Sequence, residues 1–179
     1  MRSLSKLYKE LILNERNKIP LCAAETHISL FCKQALNCEF EGKYSFVDEK
    51  GRDSFIGGEY VFQLNQLLQQ ECKILFNASY TNADSLTGIN CFSVCAMSLL
   101  HRDDRVLVTL PQQGGHSSIP LILDSLGVIY DEIPFDYEKY QIDYYRLNHL
   151  CRNHKYKFII FCQSDVINPP DLSQICIDS

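Results

Sequence analysis

Three short stretches of the sequence combine residue types that can bind a ligand, and each follows a predicted β-strand. In the first, residues 84–90, the hydroxyl of Thr87 and the glycine Gly88 stand at the start of a predicted helix. A helix N-terminus presents unpaired N–H groups and a favourable dipole, and glycine allows close approach, so this turn suits a phosphate group. An ordinary N-cap by Thr87 would explain the same residues.

The other two stretches carry a histidine and a serine. His116 comes directly after Gly114 and Gly115, where it can lie flat against a planar ring or cap the following helix. Ser164 and Asp165 follow another predicted strand and can hydrogen-bond a ligand, although both residue types are common in turns. Each stretch alone is therefore compatible with a binding site and also with a purely structural helix cap or turn.

The elements that must position these stretches alternate along the chain, which predicts an α/β fold with a mostly parallel sheet flanked by helices. Ligands of such sheets collect outside the carboxyl ends of the strands, so we expect all three stretches at one edge. Apolar periodicity predicts strands at residues 80–83, 105–109, 128–133 and 157–162, and helices at residues 4–13, 30–36, 59–76, 88–100, 115–126 and 144–153.

Composition restricts the class of protein. Hydrophobic residues make up 46% and charged residues 22% of the chain, as in ordinary globular domains. The net charge of -5 gives no reason to expect a nucleic acid or an anionic membrane as a partner. The charged N-terminus is unlike a signal peptide and the apolar runs are short, so we expect a cytoplasmic location.

The nine cysteines are odd in number and include no CxxC pair, which favours free thiols in a reducing compartment. Cys91 and Cys95 lie four residues apart on a predicted helix. We expect them to pack in the core rather than to bind zinc, because a zinc site would need two further ligands. The sequence thus predicts no metal site.

Several segments, in order and nearly in spacing, resemble the N-terminal half of the serine hydroxymethyltransferase family of fold-type-I pyridoxal-phosphate enzymes. The resemblance runs from about residue 19 to the end of the chain. The segments are Leu21-Cys22-Ala23-Ala24-Glu25, Gly57-Gly58 with residues 59–61, residues 80–100, Gly114-Gly115-His116 and residues 157–171.

The resemblance implies an incomplete aspartate-aminotransferase-like large domain at residues 41–179, preceded by an N-terminal helical arm at residues 1–40. It also implies a homodimer with sites at the subunit interface and pyridoxal phosphate as cofactor. Six cofactor-binding residues follow from it: Thr87, Gly88 and Ile89 at the phosphate, His116 stacked on the ring, Ser164 near the phenolic oxygen, and Tyr44 reaching the phosphate of the neighbouring subunit.

Some positions depart from the family pattern. Ile89 lacks a hydroxyl that the family has, so a phosphate contact there is expected through the backbone. Ala24 stands in place of a serine that contacts the substrate carboxylate, and Phe46 falls where the catalytic glutamate would align, with Glu49 as a substitute. Ser54-Phe55-Ile56 replaces an Arg-Tyr-Tyr run. These departures put the standard hydroxymethyl transfer in doubt and leave the catalytic residues unknown.

Pyridoxal-phosphate chemistry also needs a lysine amine and a carboxylate at the pyridine nitrogen. In the family both come after the point where this sequence ends, and Lys155 and Lys157 are interpreted as solvated charges. The expectation is a truncated enzyme part, inactive alone, completed by a homodimer or a second polypeptide, and using an amino-acid substrate with tetrahydrofolate if the family activity is retained. The alternatives are a catalytically dead interaction or dimerisation remnant and part of a related amino-acid lyase or aldolase.

Overall fold

The computed structural model describes residues 3–19, 21–22, 25, 28–48, 50 and 52–176. The chain divides into two compact units, Met1–Ala83 and Asp84–Ser179. The first is helical and the second contains the sheet.

The first unit contains three α-helices, α1 (Leu4–Arg16), α2 (Leu30–Leu36) and α3 (Gly58–Phe76), with a 3-10 turn at Glu39–Gly42. Serine side chains cap the first two: Ser3 accepts from the Lys6 amide at 3.3 Å and Ser29 from the Cys32 amide at 3.1 Å. All three predicted helices are confirmed. The apolar stripe of α3 is exposed, however, with Leu64, Leu67 and Leu68 each about half accessible.

The second unit alternates strands and helices around a three-stranded parallel sheet with strand order β2-β1-β5. This confirms the α/β class and the parallel sheet predicted from the sequence. A two-stranded antiparallel hairpin, β3 with β4, is added after β2. The elements are α4 (Gly88–Leu99), β1 (Arg105–Val108), α5 (Ser118–Leu126), β2 (Ile129–Glu132), β3 (Phe135–Asp136), β4 (Gln141–Ile142), α6 (Tyr144–Asn153) and β5 (Phe158–Ile160).

The central strand β1 separates two apolar cores because successive side chains of a strand point to opposite faces. Val106 and Val108 pack with residues of α4 and α5 on one face. Leu107 packs with Ile142 and with Leu147 of α6 on the other. Helices therefore cover both faces of the sheet, and its carboxyl edge is left to the turns.

Three expectations are corrected. The strand predicted at residues 80–83 is absent from the described chain: Tyr80 is 91% exposed, and the Thr81 hydroxyl donates to the Gln69 carbonyl at 2.9 Å instead of the segment joining a sheet. The helix predicted from residue 115 begins at Ser118, because the preceding glycines form a tight turn. Cys91 and Cys95, expected in the core, are exposed free thiols.

No helix in the described part of the chain is long and apolar enough to cross a membrane. Among the same residues, no group of three or more histidine, cysteine or acidic side chains is placed to hold a metal ion.

Candidate cofactor site

The turn after β1 folds back tightly on itself and ends at His116. The Gln113 and Gly115 amides both donate to the Leu110 carbonyl at 2.9 Å. Gly114 has a φ of +81°, in the left-handed region that favours glycine. A Cβ at Gly114 would collide with the Asp165 carbonyl, and one at Gly115 with the Thr109 carbonyl. The two glycines are thus required for the close approach of three backbone segments.

Backbone hydrogen bonds join this turn to the one after β5. The His116 amide donates to the Cys162 carbonyl at 2.9 Å, and the Ser164 amide donates to the Gly114 carbonyl at 2.7 Å. The Asp165 amide donates to the same Gly114 carbonyl at 3.1 Å. The structure therefore brings together two of the predicted site residues, His116 and Ser164, at one edge of the sheet.

Thr109, the residue that follows β1, stabilises this junction. Its side chain is fully buried, and its hydroxyl oxygen accepts from the Cys162 amide at 3.0 Å. Its own amide donates to the Ile160 carbonyl at 3.2 Å. The hydroxyl therefore continues the pairing of β1 with β5 for one more residue, to the point where the two turns begin.

The imidazole of His116 is half-buried and oriented by the helix that follows it. The Ser118 amide donates to His116 Nδ1 at 3.2 Å, and the Ile119 amide donates to the His116 carbonyl at 3.1 Å. Because Nδ1 acts as an acceptor, the neutral ring carries its proton on Nε2. The capping alternative for His116 is thus observed, and it leaves Nε2 and the ring faces for other contacts.

The turn before α4 is also built as a capped helix start. Thr87 Oγ1 accepts from the Asn90 amide at 3.1 Å, and Asn90 Oδ1 accepts from the Leu86 amide at 3.2 Å. Thr87, Gly88 and Ile89 are exposed, and nothing lies within 4 Å of a Cβ built at Gly88. The amides of Gly88 and Ile89 begin the helix and have no partner within it, so they can donate to an anion.

The remaining predicted residues belong to the first unit. Tyr44 is exposed, and its ring lies edge-on to Phe55 with centroids 4.9 Å apart. The Phe46 carbonyl accepts from the Ser54 amide at 3.2 Å. Ala24 and Glu49, on which two of the departures rest, lie outside the described residues.

Asp53 organises the loop that contains Tyr44 and Phe46. Its carboxylate accepts from the Ser45 hydroxyl at 2.6 Å and from the Phe55 amide at 2.8 Å. The hydrogen bond from Ser45, followed by the one from Phe55, lowers the pKa of Asp53 below its usual value. Its carboxylate also touches the position that a Cβ of Gly58 would occupy. The loop is therefore fixed against the start of α3 by an ionised side chain.

A cavity of about 540 Å³ lies at the carboxyl edge of the sheet and is lined by Ser164, Gln163 and Gly114. The β3–β4 hairpin adds Phe135 and Tyr140 to its wall, two residues that the sequence patterns did not indicate. Asp136 is the sequence feature that could have indicated the hairpin, because aspartate favours such turns. In the structure its Oδ1 accepts from the Glu138 and Lys139 amides at 3.0 and 3.1 Å.

Lys157 lies at the opposite end of the sheet from Ser164. Its Nζ pairs with Asp104 Oδ2 at 2.6 Å, and its amide donates to the Arg105 carbonyl at 2.7 Å. Hydrogen bonding from Lys157, and then from the His101 amide, lowers the pKa of Asp104. A lysine held in this way is an ion-pair partner at the amino end of β5, so it supports no covalent role at the carboxyl edge.

The fold and the paired turns define a class of protein. The structure is similar to that of L-threonine transaldolase from Pseudomonas fluorescens, with a TM-score of 0.83 and 16% sequence identity over 96% of this chain and 40% of that chain. That likeness places the second unit's sheet and helices in the fold of the fold-type-I pyridoxal-phosphate enzymes.

A family model described as serine hydroxymethyltransferase matches residues 3–175, so the chain belongs to the serine hydroxymethyltransferase family. It is also 27% identical over 176 residues to the serine hydroxymethyltransferase of Blochmanniella pennsylvanica (strain BPEN), covering 96% of this chain and 42% of that protein. The chain therefore spans about two fifths of the length of the relatives it matches.

The residues present fit pyridoxal phosphate, the cofactor of this class. Capped but accessible amides at the start of α4 suit its phosphate group, and the ring of His116 is oriented with Nε2 unengaged by the bonds described above. Gln163 Oε1 is buried and has no hydrogen-bond partner among the described residues. A buried oxygen of this kind calls for a donor, which a ligand in the neighbouring cavity can supply.

Proposed function

We propose that residues 1–179 contribute the front part of a serine hydroxymethyltransferase-type cofactor site. The reaction would be serine/glycine one-carbon transfer, with tetrahydrofolate as co-substrate. The lysine that links the cofactor would come from a segment outside these residues, in the same protein or in a second polypeptide. Residues 1–179 alone would then be inactive.

The cofactor, when bound, would supply an electron sink for the amino-acid substrate. The chain's own residues would hold it. The backbone amides of Gly88 and Ile89, with the Thr87 hydroxyl, would bind the phosphate, and Ile89 would contribute no hydroxyl. His116 would lie against the ring, and Ser164 would hydrogen-bond its phenolic oxygen.

Tyr44 would reach the phosphate of the neighbouring subunit in a homodimer. The chain would consist of an N-terminal helical arm at residues 1–40 and a cofactor-binding domain at residues 41–179, and the protein would be cytoplasmic. Family membership supports these assignments, because they follow the arrangement that the resemblance implies.

One observation carries the proposal most strongly. The turns after β1 and β5 are joined by direct backbone hydrogen bonds, including the 2.7 Å bond from the Ser164 amide to the Gly114 carbonyl. Two strands from distant parts of the sequence thus present a histidine and a serine to the same side. Ligands of these folds bind at the carboxyl edge of the parallel sheet, where these two turns meet.

The first test is a titration of the purified chain with pyridoxal phosphate, followed by absorption and by thermal unfolding. We expect binding that stabilises the fold, and turnover only after a polypeptide carrying the missing lysine is added. No stabilisation by pyridoxal phosphate and no spectral change, with or without that polypeptide, would reject the proposal. Cleavage of a β-hydroxy amino acid without folate would instead favour the lyase or aldolase alternative.

A matched pair of substitutions isolates the role of the His116 ring. In His116→Asn the side-chain oxygen can still accept from the Ser118 amide, as asparagine often does two residues on; His116→Ala loses both the ring and the cap. We expect both variants to weaken pyridoxal-phosphate binding by about two- to tenfold, the range expected for an aromatic contact. His116→Ala should lower the unfolding free energy more than His116→Asn does, because it loses the cap as well as the ring. Unchanged affinity in His116→Asn would leave His116 as a helix cap alone.

The exposed stripe on α3 supports a second candidate, a protein that keeps the fold for association. Leu64, Leu67 and Leu68 lie on one side of α3 and are exposed within the described chain, and contiguous apolar surface is common at protein interfaces. Sedimentation of the chain without added cofactor tests this candidate. Stable self-association together with no pyridoxal-phosphate binding would favour it over the enzyme part.

A further inference from the structure

Two glutamines join the segments that follow all three strands of the sheet. Gln113, after β1, accepts a hydrogen bond at Oε1 from the Leu110 amide at 2.9 Å and donates from Nε2 to the carbonyl of Ile133, after β2. Its main-chain carbonyl accepts from Nε2 of Gln163, after β5, at 3.1 Å. One buried residue and one neighbour therefore connect the carboxyl ends of β2, β1 and β5.

The amide orientation of each glutamine is fixed by its partners. Reversing the Gln113 amide would bring two N–H donors together at Leu110 and two carbonyl oxygens together at Ile133. Reversing the Gln163 amide would place its oxygen against the Gln113 carbonyl. Gln113 is only 3% exposed, so water cannot easily replace these bonds.

Gln163 stands between the two residues whose backbones bind the opposite turn. Before it, the Cys162 carbonyl accepts from the His116 amide at 2.9 Å; after it, the Ser164 amide donates to the Gly114 carbonyl at 2.7 Å. The bond between Gln163 and Gln113 lies in the middle of this short junction. A change in this bond would therefore alter how the histidine turn lies against the serine turn.

We propose that Gln113 and Gln163 are positioning residues that hold His116 and Ser164 in register for a ligand at the carboxyl edge. The ligand part of this assignment rests on the proposed function; the structural part does not. The essential group is the N–H donor of Gln163, and its target is the Gln113 carbonyl.

Hydrogen exchange of the full chain without any ligand tests the structural part. Gln163→Met keeps the length of the side chain but has no donor. We expect the amides of His116 and Ser164 to exchange about threefold to tenfold faster, the effect of losing one hydrogen bond, while the Leu107 amide in the middle of β1 is unchanged. Gln112→Met, at an exposed glutamine of the same turn, should leave all three amides unchanged.

Gln163→Glu provides a reversible version of the same change. An ionised carboxylate cannot donate to the Gln113 carbonyl, whereas a protonated carboxyl group can. The exchange rates of His116 and Ser164, taken relative to the natural chain at the same pH, should therefore be raised near neutral pH. Below about pH 4, near the ordinary glutamate pKa, these exchange rates should return toward those of the natural chain. An ionised carboxylate at this half-buried position also lowers global stability, so the Leu107 amide is followed in the same samples and should change less than the other two amides.

Pyridoxal-phosphate affinity is then compared between the natural chain and Gln163→Met. A loss of about threefold to tenfold together with faster exchange at His116 and Ser164 supports the assignment to the ligand site, whereas the same loss with unchanged exchange would mean that Gln163 Oε1 binds the ligand directly and would overturn the positioning role. If the natural chain binds no pyridoxal phosphate, the proposed function fails while the exchange result still decides the register. The positioning role would be overturned if Gln163→Met changed the exchange rates of His116, Ser164 and Leu107 by the same factor. It would also be overturned if the rates in Gln163→Glu did not recover at low pH.

Discussion

The two ends of the parallel sheet are closed by different kinds of interaction. At the amino end, charged side chains are paired across strands: Lys157 with Asp104 at 2.6 Å and Arg105 with Asp131 at 2.7 Å. At the carboxyl end, neutral backbone amides, two glutamines and two glycines join the turns after β1 and β5. The amino end needs only approximate geometry, whereas the carboxyl end depends on close contacts that fix positions.

This difference separates a stabilising end from a positioning end. Partly exposed ion pairs contribute little because water and salt screen them. Hydrogen bonds between buried backbone groups cannot be exchanged for water without cost, so breaking them moves or destabilises the turn. Substitutions at the carboxyl end are therefore expected to have the larger effects.

Replacing a glycine of the paired turns should cause the largest loss. In Gly114→Ala the new Cβ would meet the Asp165 carbonyl, and φ is +81°. We expect the free energy of unfolding to fall by about 3 kcal/mol or more, from left-handed strain together with overpacking. Urea denaturation measures this directly.

Gly88→Ala is the matched control at the start of α4, where nothing lies within 4 Å of the added Cβ. Its unfolding free energy should stay within about 1 kcal/mol of the natural chain. If Gly114→Ala and Gly88→Ala were equally stable, the tight contact between the two turns would not exist in solution.

The fold of the second unit was largely predictable, because its information is local. The apolar repeats of α4 and α6 and the short apolar runs of β1 and β5 are each sufficient to predict one element. The helix–strand alternation then implies a parallel sheet with helices on both faces. In the first unit, the prediction of a strand at residues 80–83 was wrong, because composition cannot tell whether a short segment finds a partner strand.

The site was predictable only in part, for a related reason. His116 and Ser164 could be assigned to one edge because each follows a strand of the predicted parallel sheet. The bonds between Gln113, Gln163 and Ile133 could not, since they join residues up to 50 positions apart along the chain. Glutamine has no turn or cap preference that would have distinguished these two from exposed ones, so only coordinates reveal their role.

Removing the hydroxyl of Thr109 should have an intermediate effect. Thr109→Val keeps the shape of the side chain but removes the hydroxyl that accepts from the Cys162 amide at 3.0 Å. We expect a loss of about 1–3 kcal/mol, the cost of an unpaired buried group. Thr109→Ser keeps the acceptor and should preserve slow exchange of the Cys162 amide, whereas Thr109→Val should not. Equal protection in both variants would show that the hydroxyl does not extend the strand pairing.

The smallest effect is expected at the amino end. Hydrogen bonding from Arg105 lowers the pKa of Asp131 below its ordinary value of 3.8, with Tyr156 contributing a further hydrogen bond and burial opposing both. Asp131→Asn should cost no more than about 1 kcal/mol at neutral pH, because the side chains of this ion pair are a third or more exposed.

The pH dependence gives the sign of that contribution. Because the folded pKa of Asp131 is depressed, its stabilisation is present above pH 3.8 and is lost as the pH falls through the lower folded value. The stability difference between the natural chain and Asp131→Asn should therefore be constant near neutral pH and shrink in stronger acid, as measured by urea denaturation at each pH. A difference that instead grew in acid, or that exceeded the effect of Thr109→Val, would mean that the charged end carries the geometry that we assign to the carboxyl turns.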